Sequence, residues 1–139
     1  MEIICVDKID STHLFMCKKA RKNEIEKDFA LYALEQTGGI GSRDNAWQSE
    51  KGNLHLSFAL KRENLVSDLP LSSMSIYFAF LFKQVLAANG SLVWLKYPND
   101  LYIGDKKIGG VMSSKINDFI IISTGLNVKF APKGAATLD

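Results

Sequence analysis

SLVWLKYPNDLYIGDKKIGGVMSSKINDFIIISTGLNV, residues 91–128, decides the fold. Residues 92–95, 101–103, 107–113 and 119–128 are short runs rich in β-branched and aromatic side chains. Turn chemistry separates them at Gly104-Asp105-Lys106 and Asn117-Asp118. Strands joined by such short turns fold back on one another, so the segment predicts an antiparallel meander.

Working outward, the first half alternates element types. Residues 3–6 are a β-branched run, and Asp10-Ser11-Thr12 supplies the side-chain oxygens that cap a helix, here one running to about Asn23. Its cationic end, Lys18-Lys19-Ala20-Arg21-Lys22, complements the helix dipole and reads as a solvated face. Residues 29–36 and 53–60 read as strands, and 37–46 as an irregular, glycine-rich loop. Residues 71–88 read as a helix with an apolar stripe of Leu71, Met74, Phe78, Leu81, Phe82 and Val85. Helices among the early strands and consecutive strands late predict an α+β fold: a mixed, largely antiparallel sheet with helices packed on it.

Composition bounds the rest. The 139 residues bury one core, enclosing roughly 68–70% of the unfolded surface. A formal charge of +2 gives no broad drive toward nucleic acid or anionic lipid, so neither is expected as a partner. The apolar stretch 71–88 is broken by Ser72, Ser73, Ser75, Lys83 and Gln84, short of the ~18 uninterrupted residues of a membrane span, and reads as a core helix. Cys5 and Cys17 lack zinc or disulfide spacing and read as reduced, buried thiols. The acidic start Met1-Glu2 is unlike a signal peptide, so a cytoplasmic location is expected.

Three clusters could carry chemistry. The loop Gly38-Gly39-Ile40-Gly41 follows a strand, where backbone N–H groups can approach an anion; it lacks the glycine spacing of a dinucleotide or Walker loop. Lys96-Tyr97-Pro98-Asn99-Asp100-Leu101 presents a lysine, an amide and a carboxylate where Pro98 bars helix. Lys107-Ile108-Gly109-Gly110-Val111 places two glycines within a strand, a sacrifice of packing that suits close approach of a ligand or a bulge. His13 and His55 have no metal or catalytic spacing and read as structural.

Taken in order with Asp10-Ser11-Thr12, Gln36, the segment from Gly39 to Ser49, Gly52-Asn53-Leu54 and Gly125-Leu126-Asn127-Val128, these clusters resemble the catalytic domain of biotin protein ligases, the biotin–[acetyl-CoA-carboxylase] ligases. The resemblance implies a class II synthetase-like fold over 1–139. It also implies an ATP- and Mg²⁺-dependent reaction: biotin becomes biotinyl-5′-AMP, pyrophosphate leaves, and biotin passes to a lysine of the biotin carboxyl carrier protein. Carried over residue by residue, it implies that Ser11, Thr12, Gln36, Gly39, Gly41, Lys107, Gly109 and Gly110 hold biotin, and that Arg43, Trp47, Asn99 and Asn127 hold ATP or the adenylate. Lys107, Asp100 and Arg43 are the implied catalytic groups, with Asp100 also at the metal.

Those roles agree with the chemistry. A carboxylate attacking a phosphate brings two anions together, which calls for fixed cations and Mg²⁺, while an aromatic such as Trp47 can stack on a base. This chain differs from the usual family loop Gly-Arg-Gly-Arg in reading Gly39-Ile40-Gly41-Ser42, with Arg43 one position late, and Tyr97 replaces the usual tryptophan. Longer relatives continue past the Asn127 strand, so the chain is expected to lack the C-terminal part. With no DNA-binding segment before Met1, repressor activity is not expected, and pairing into a homodimer is a further expectation. The competing readings are a lipoate or octanoate ligase and a non-enzymatic or truncated binder of biotin or its adenylate.

Overall fold

The computed structural model describes residues 1–139. In chain order the elements are β1 (Glu2–Ile9), α1 (Thr12–Arg21), β2 (Phe29–Gln36), β3 (Leu54–Lys61), α2 (Met74–Ala88), β4 (Trp94–Lys96), β5 (Asp100–Ile103), β6 (Lys106–Ile116) and β7 (Phe119–Leu126). The strands form one seven-stranded sheet in the order β1-β2-β3-β7-β6-β5-β4. β1 and β2 run parallel because α1 carries the chain back between them; every other pair is antiparallel. The expected α+β architecture is therefore the one observed.

Alternation along β7 assigns the two faces. Ile121 packs with Met16, Cys17 and Ala20 of α1, whereas Ile120 and Ile122 pack with Met74 and Ala79 of α2, so the helices lie on opposite sides of the sheet. The meander is longer than its sequence pattern: β6 continues through Ser113-Ser114-Lys115 to Ile116, because paired β7 supplies backbone partners that those residues' propensities do not announce. Turns fall where expected, with Gly104 and Asn117 both at positive φ.

Three expectations need correcting. Cys5 is exposed, because β1 is an edge strand without a layer over that part of its surface; Cys17 alone is buried. Loop 37–46 is partly ordered: Ser42–Asp44 make one tight, non-helical turn with Arg43 and Asp44 at positive φ, bracketed by Gly41 N–H donating to Asn45 O at 2.7 Å. Most consequentially, α2 is not a core helix. The stretch Leu71–Ala88 is long and apolar enough to cross a membrane by length and composition alone. Only Met74 and Ala79 of α2 are buried, and Leu71, Phe80, Leu81 and Val85 are exposed. The helix is apolar on nearly every side and the sheet covers one side: Met74, Phe78 and Phe82 of the expected stripe pack on the sheet together with Ala79, while Leu71, Leu81 and Val85 face away from it.

Candidate functional site

A small, partly open cleft lies on the α1 side of the sheet, where the first turn of α1 meets the glycine loop and strands β5 to β7. One end is built by helix capping. Ser11, in extended conformation, accepts from Leu14 N–H at 3.3 Å through its Oγ, while Asp10 Oδ1 accepts from Ser11 N–H at 2.7 Å. Thr12 donates to Gln36 Oε1 twice, from its backbone N–H at 2.8 Å and from Oγ1 at 3.1 Å. The Gln36 amide group then donates to Ser49 Oγ at 3.0 Å. Ser11 and Thr12 are buried, so these polar groups meet protein partners rather than bulk water.

The other end is made by the β5–β6 hairpin. A register shift at Leu101/Tyr102 sets Lys107 opposite Tyr102 and Gly110 opposite Asp100, which allows Lys107 Nζ to lie 2.8 Å from Asp100 Oδ1. Gly110 lies close beside the pair: a Cβ there would come 3.2 Å from Asp100 Oδ1, shifting that carboxylate by a few tenths of an ångström, and 3.7 Å from Lys107 Cε, an ordinary contact. The bulge expected as one account of these two glycines is therefore present, at Leu101/Tyr102. Asn99 ties the junction together, donating to Val111 O at 2.6 Å and to Ser42 Oγ at 2.9 Å.

Trp47 forms a third wall, lying against Gly125 so closely that a Cβ at 125 would be 2.6 Å from the indole Nε1. That Nε1–H is buried without a protein acceptor. Lys107 Nζ lies 5.9 Å from the Trp47 ring centroid. Gly39 is needed one layer further out, since a Cβ there would meet Trp47 O at 2.7 Å and Ser49 Oγ at 2.6 Å.

Of the residues expected at the site, Ser11, Thr12, Gln36, Gly41, Trp47, Asn99, Asp100, Lys107 and Gly110 come together on the cleft wall. Four do not. Arg43 is exposed on the loop at φ 59°. Gly39 and Gly109 stand behind the wall, Gly109 because a Cβ would lie 2.5 Å from Gly125 O across the sheet. Asn127 is buried off the cleft wall, its amide donating to Ala136 O at 3.1 Å while its Oδ1 has no partner within the chain.

The residues not anticipated are polar groups beneath the floor. His13, read as structural, lines the cleft with Ser123 and Thr124, and Ser57 lies under them. Burial, helped by the charge of Arg21, lowers the His13 pKa to about 4, so the ring is neutral near pH 7. Burial also raises the Cys17 thiol, which keeps it protonated. Each of the two central strands carries one serine, Ser57 in β3 and Ser123 in β7, and a lone serine in a strand gives no signal of a buried polar floor.

The Biotin/lipoate A/B protein ligase family model matches residues 5–127. The chain belongs to that family. It is similar to the bifunctional ligase/repressor BirA of Escherichia coli, 32% identical over 127 residues, which are 86% of this chain and 38% of that protein. It is also similar to biotin–protein ligase 2 of Arabidopsis thaliana, 35% identical over 67% of this chain and 31% of that one. Among solved structures, the biotin acetyl coenzyme A carboxylase synthetase of Helicobacter pylori with bound biotinylated ATP superposes with a TM-score of 0.93 at 40% identity, covering 99% of this chain and 65% of that one. The biotin protein ligase of Aquifex aeolicus in complex with biotin and ATP gives 0.72 at 28% identity over 98% of this chain and 58% of that one. The chain thus spans between about a third and two thirds of the length of these relatives.

Proposed function

We propose that this chain carries the substrate-activating site of an ATP-dependent biotin protein ligase. The observation that carries the reading is the cleft itself, with an ordered set of hydrogen-bonding groups at the Ser11–Thr12–Gln36 end and the Lys107–Asp100 pair at the other. A ligand with a polar ring and an acidic tail matches that polarity. The relatives bound to biotin with ATP, or to biotinylated ATP, add the substrate class.

In this reading biotin lies with its ring at the α1 end and its carboxylate near Lys107. A carboxylate oxygen attacks the α-phosphorus of ATP, the bond to the bridging oxygen breaks, and pyrophosphate leaves. Lys107 is the cation beside the meeting anions, and Asp100 holds its ammonium in place before substrate arrives. Trp47 offers an indole face for adenine. In the second step the uncharged amine of a carrier lysine attacks the acyl carbon, an amide forms, and AMP departs. The carrier is a biotin carboxyl carrier protein, and the location proposed for the reaction is the cytoplasm, in keeping with the acidic start Met1-Glu2.

Magnesium supplies charge neutralisation on the phosphates when bound. No cluster of three or more His, Cys, Asp or Glu side chains exists in the chain, and Asp100 is the carboxylate at the cleft. That donor set fits Mg²⁺, which commonly takes one or two carboxylates and completes its shell with phosphate and water. It does not fit a resident all-protein metal site.

The test is mass spectrometry of the protein incubated with ATP, Mg²⁺ and, in parallel, biotin, lipoate or octanoate. Biotinyl-AMP with stoichiometric pyrophosphate is expected. An adenylate formed from lipoate or octanoate instead, or none from folded protein, overturns the reading in favour of a lipoate-type ligase or a binder.

A further inference from the structure

Beneath the cleft floor runs a chain of short polar contacts whose proton directions can be worked out one by one. Thr12 N–H can only donate, so the Gln36 atom it meets at 2.8 Å is the carbonyl oxygen. Thr12 Oγ1, 3.1 Å from that same oxygen, must donate to it, which commits the only hydroxyl proton of Thr12. Ser57 Oγ, 2.8 Å from Thr12 Oγ1, must then be the donor in that pair. With the Ser57 proton used, the 2.6 Å contact between Ser57 Oγ and Ser123 Oγ requires Ser123 to donate. His13 Nδ1 lies 2.7 Å from Ser123 Oγ, whose proton is also spent, so Nδ1 must carry a hydrogen. A neutral ring leaves Nε2 bare, positioned to accept from Ser114 Oγ at 3.0 Å and from the Cys17 thiol at 3.5 Å.

We propose that His13 is a positioning residue: its Nδ1–H fixes the direction of the Ser123–Ser57–Thr12–Gln36 hydroxyl relay and so makes the cleft floor selective for a ring that carries N–H donors. Every relay proton points toward Gln36. Ser123 and Thr12 each retain a lone pair and neither has a proton to offer a ligand. Ser11 Oγ accepts from Leu14 N–H, and its own proton has no acceptor within the chain. With the Ser11 hydroxyl and the second hydrogen of the Gln36 amide, which lines the same end of the cleft, the floor presents two acceptors and two donors, enough to meet the two N–H groups and both carbonyl lone pairs of a cyclic urea. A dithiolane or an alkyl chain would leave those polar groups unpaired in a buried site, which selects against it. The low pKa supports the assignment by keeping Nε2 bare. The groups facing His13 are Cys17 and Arg21 of α1, Ser114 of β6 and Ser123 of β7; the first, third and fourth are neutral at pH 7.

The selectivity part rests on the biotin ligase reading, whereas the relay does not, and the experiment separates them. Nitrogen NMR of the ring-labelled, ligand-free protein at pH 7 reads the tautomer directly. A protonated Nδ1 and bare Nε2 are expected, and the opposite tautomer overturns the proposal whatever the substrate proves to be. His13→Asn and His13→Asp are nearly isosteric but differ in hydrogen bonding. Asn can donate to Ser123 through its amide, while an ionised Asp can only accept and reverses the outer half of the relay. At pH 8, with folding checked by circular dichroism, biotin binding to His13→Asp should weaken roughly ten- to a hundredfold, and His13→Asn should return to within about threefold of the parent. Equal losses in the two variants would reduce His13 to a packing residue and overturn the proposal. A parent protein that binds no biotin refutes the ligase reading and the ring selectivity, while the tautomer still decides the relay.

Discussion

Gly125→Ala is the most discriminating perturbation of the nucleotide side of the cleft. The added Cβ would sit 2.6 Å from both Cε2 and Nε1 of Trp47 and 3.1 Å from Cζ2, where ordinary contacts begin at 3.4 Å. Gly125 belongs to a central strand paired on both sides, so the indole, half-buried on its loop, must retreat by about 1 Å. Stacking of a base on an aromatic is worth about 1–3 kcal/mol, or about five- to 150-fold in affinity, and a gap of that size forfeits about a quarter to a half of a contact's attraction. Gly125→Ala should therefore weaken ATP binding by about 0.25–1.5 kcal/mol, roughly 1.5- to 13-fold, and Trp47→Ala should weaken it by the full stacking contribution. Biotin binding should change by less than about twofold, because Trp47 has no part in the relay under the floor.

Titration calorimetry with each ligand reads the two affinities separately. Fluorescence in a Trp94→Phe background isolates Trp47, since the chain has two tryptophans. A blunted response of Trp47 to ATP in Gly125→Ala is the expected signature. Equal weakening of ATP and biotin, or unchanged ATP affinity with Trp47 visibly displaced, would refute the stacking role.

Other outcomes follow from the same geometry. Lys107→Ala should slow biotinyl-AMP formation at least about a hundredfold in single-turnover assays while the thermal midpoint barely moves, because the lost ion pair is partly solvent-exposed. Gly109→Ala should lower stability in urea by about 1–3 kcal/mol or more, since its Cβ would meet Gly125 O at 2.5 Å and Leu126 Cα at 3.2 Å, backbone atoms that cannot step aside. His13, with its folded pKa lowered to about 4, binds a proton in the unfolded chain first; its stabilising effect is complete above pH 6.5 and is lost as pH falls toward 4. Urea titrations should show about 2 kcal/mol of loss between pH 7 and pH 5 from this group, absent in His13→Asn. Val85→Glu, at a site 61% exposed, should change stability by less than about 0.5 kcal/mol, whereas Ala79→Glu, fully buried, should prevent folding.

The pattern of strands was legible because turns and alternation are local properties. Phe29–Gln36 is the strand its apolar run indicates, and the turn at Asn117-Asp118 falls where its residue types place it. The Lys107–Asp100 junction was legible for a related reason: two glycines inside a strand signal close approach, which for Gly109 is to the backbone of β7 and for Gly110 to the Asp100 side chain. The floor was not. Ser57, Ser123 and Ser114 look like solvent-facing positions in any single strand. Only the register between β3, β7 and β6, which no local pattern fixes, brings them under His13. The exposed side of α2 escaped for the complementary reason, since periodicity locates an apolar face but does not say how much of a helix its neighbours cover.

The two ends of the cleft are held in different ways, and that difference should appear in binding. At the α1 end, Ser11, Thr12 and Gln36 are fixed by a helix cap, a backbone N–H and a relay anchored on three strands, so the ring's partners are in place before any ligand arrives. At the other end Trp47 stands on a loop pinned by Gly41 N–H to Asn45 O at 2.7 Å and by Trp47 N–H to Gly39 O at 2.8 Å, with Asn99 reaching Ser42 at 2.9 Å. Ordering is a smaller expense for the first ligand than for the second, because rotamers already locked have little entropy left to lose. Biotin should therefore bind the free protein at a rate set by encounter, and ATP should bind more slowly as the loop settles around it. Stopped-flow traces of Trp47 fluorescence on mixing with ATP test this: a single fast phase whose rate rises linearly with ATP concentration, with no slower step, would mean that the nucleotide half is as preformed as the biotin half.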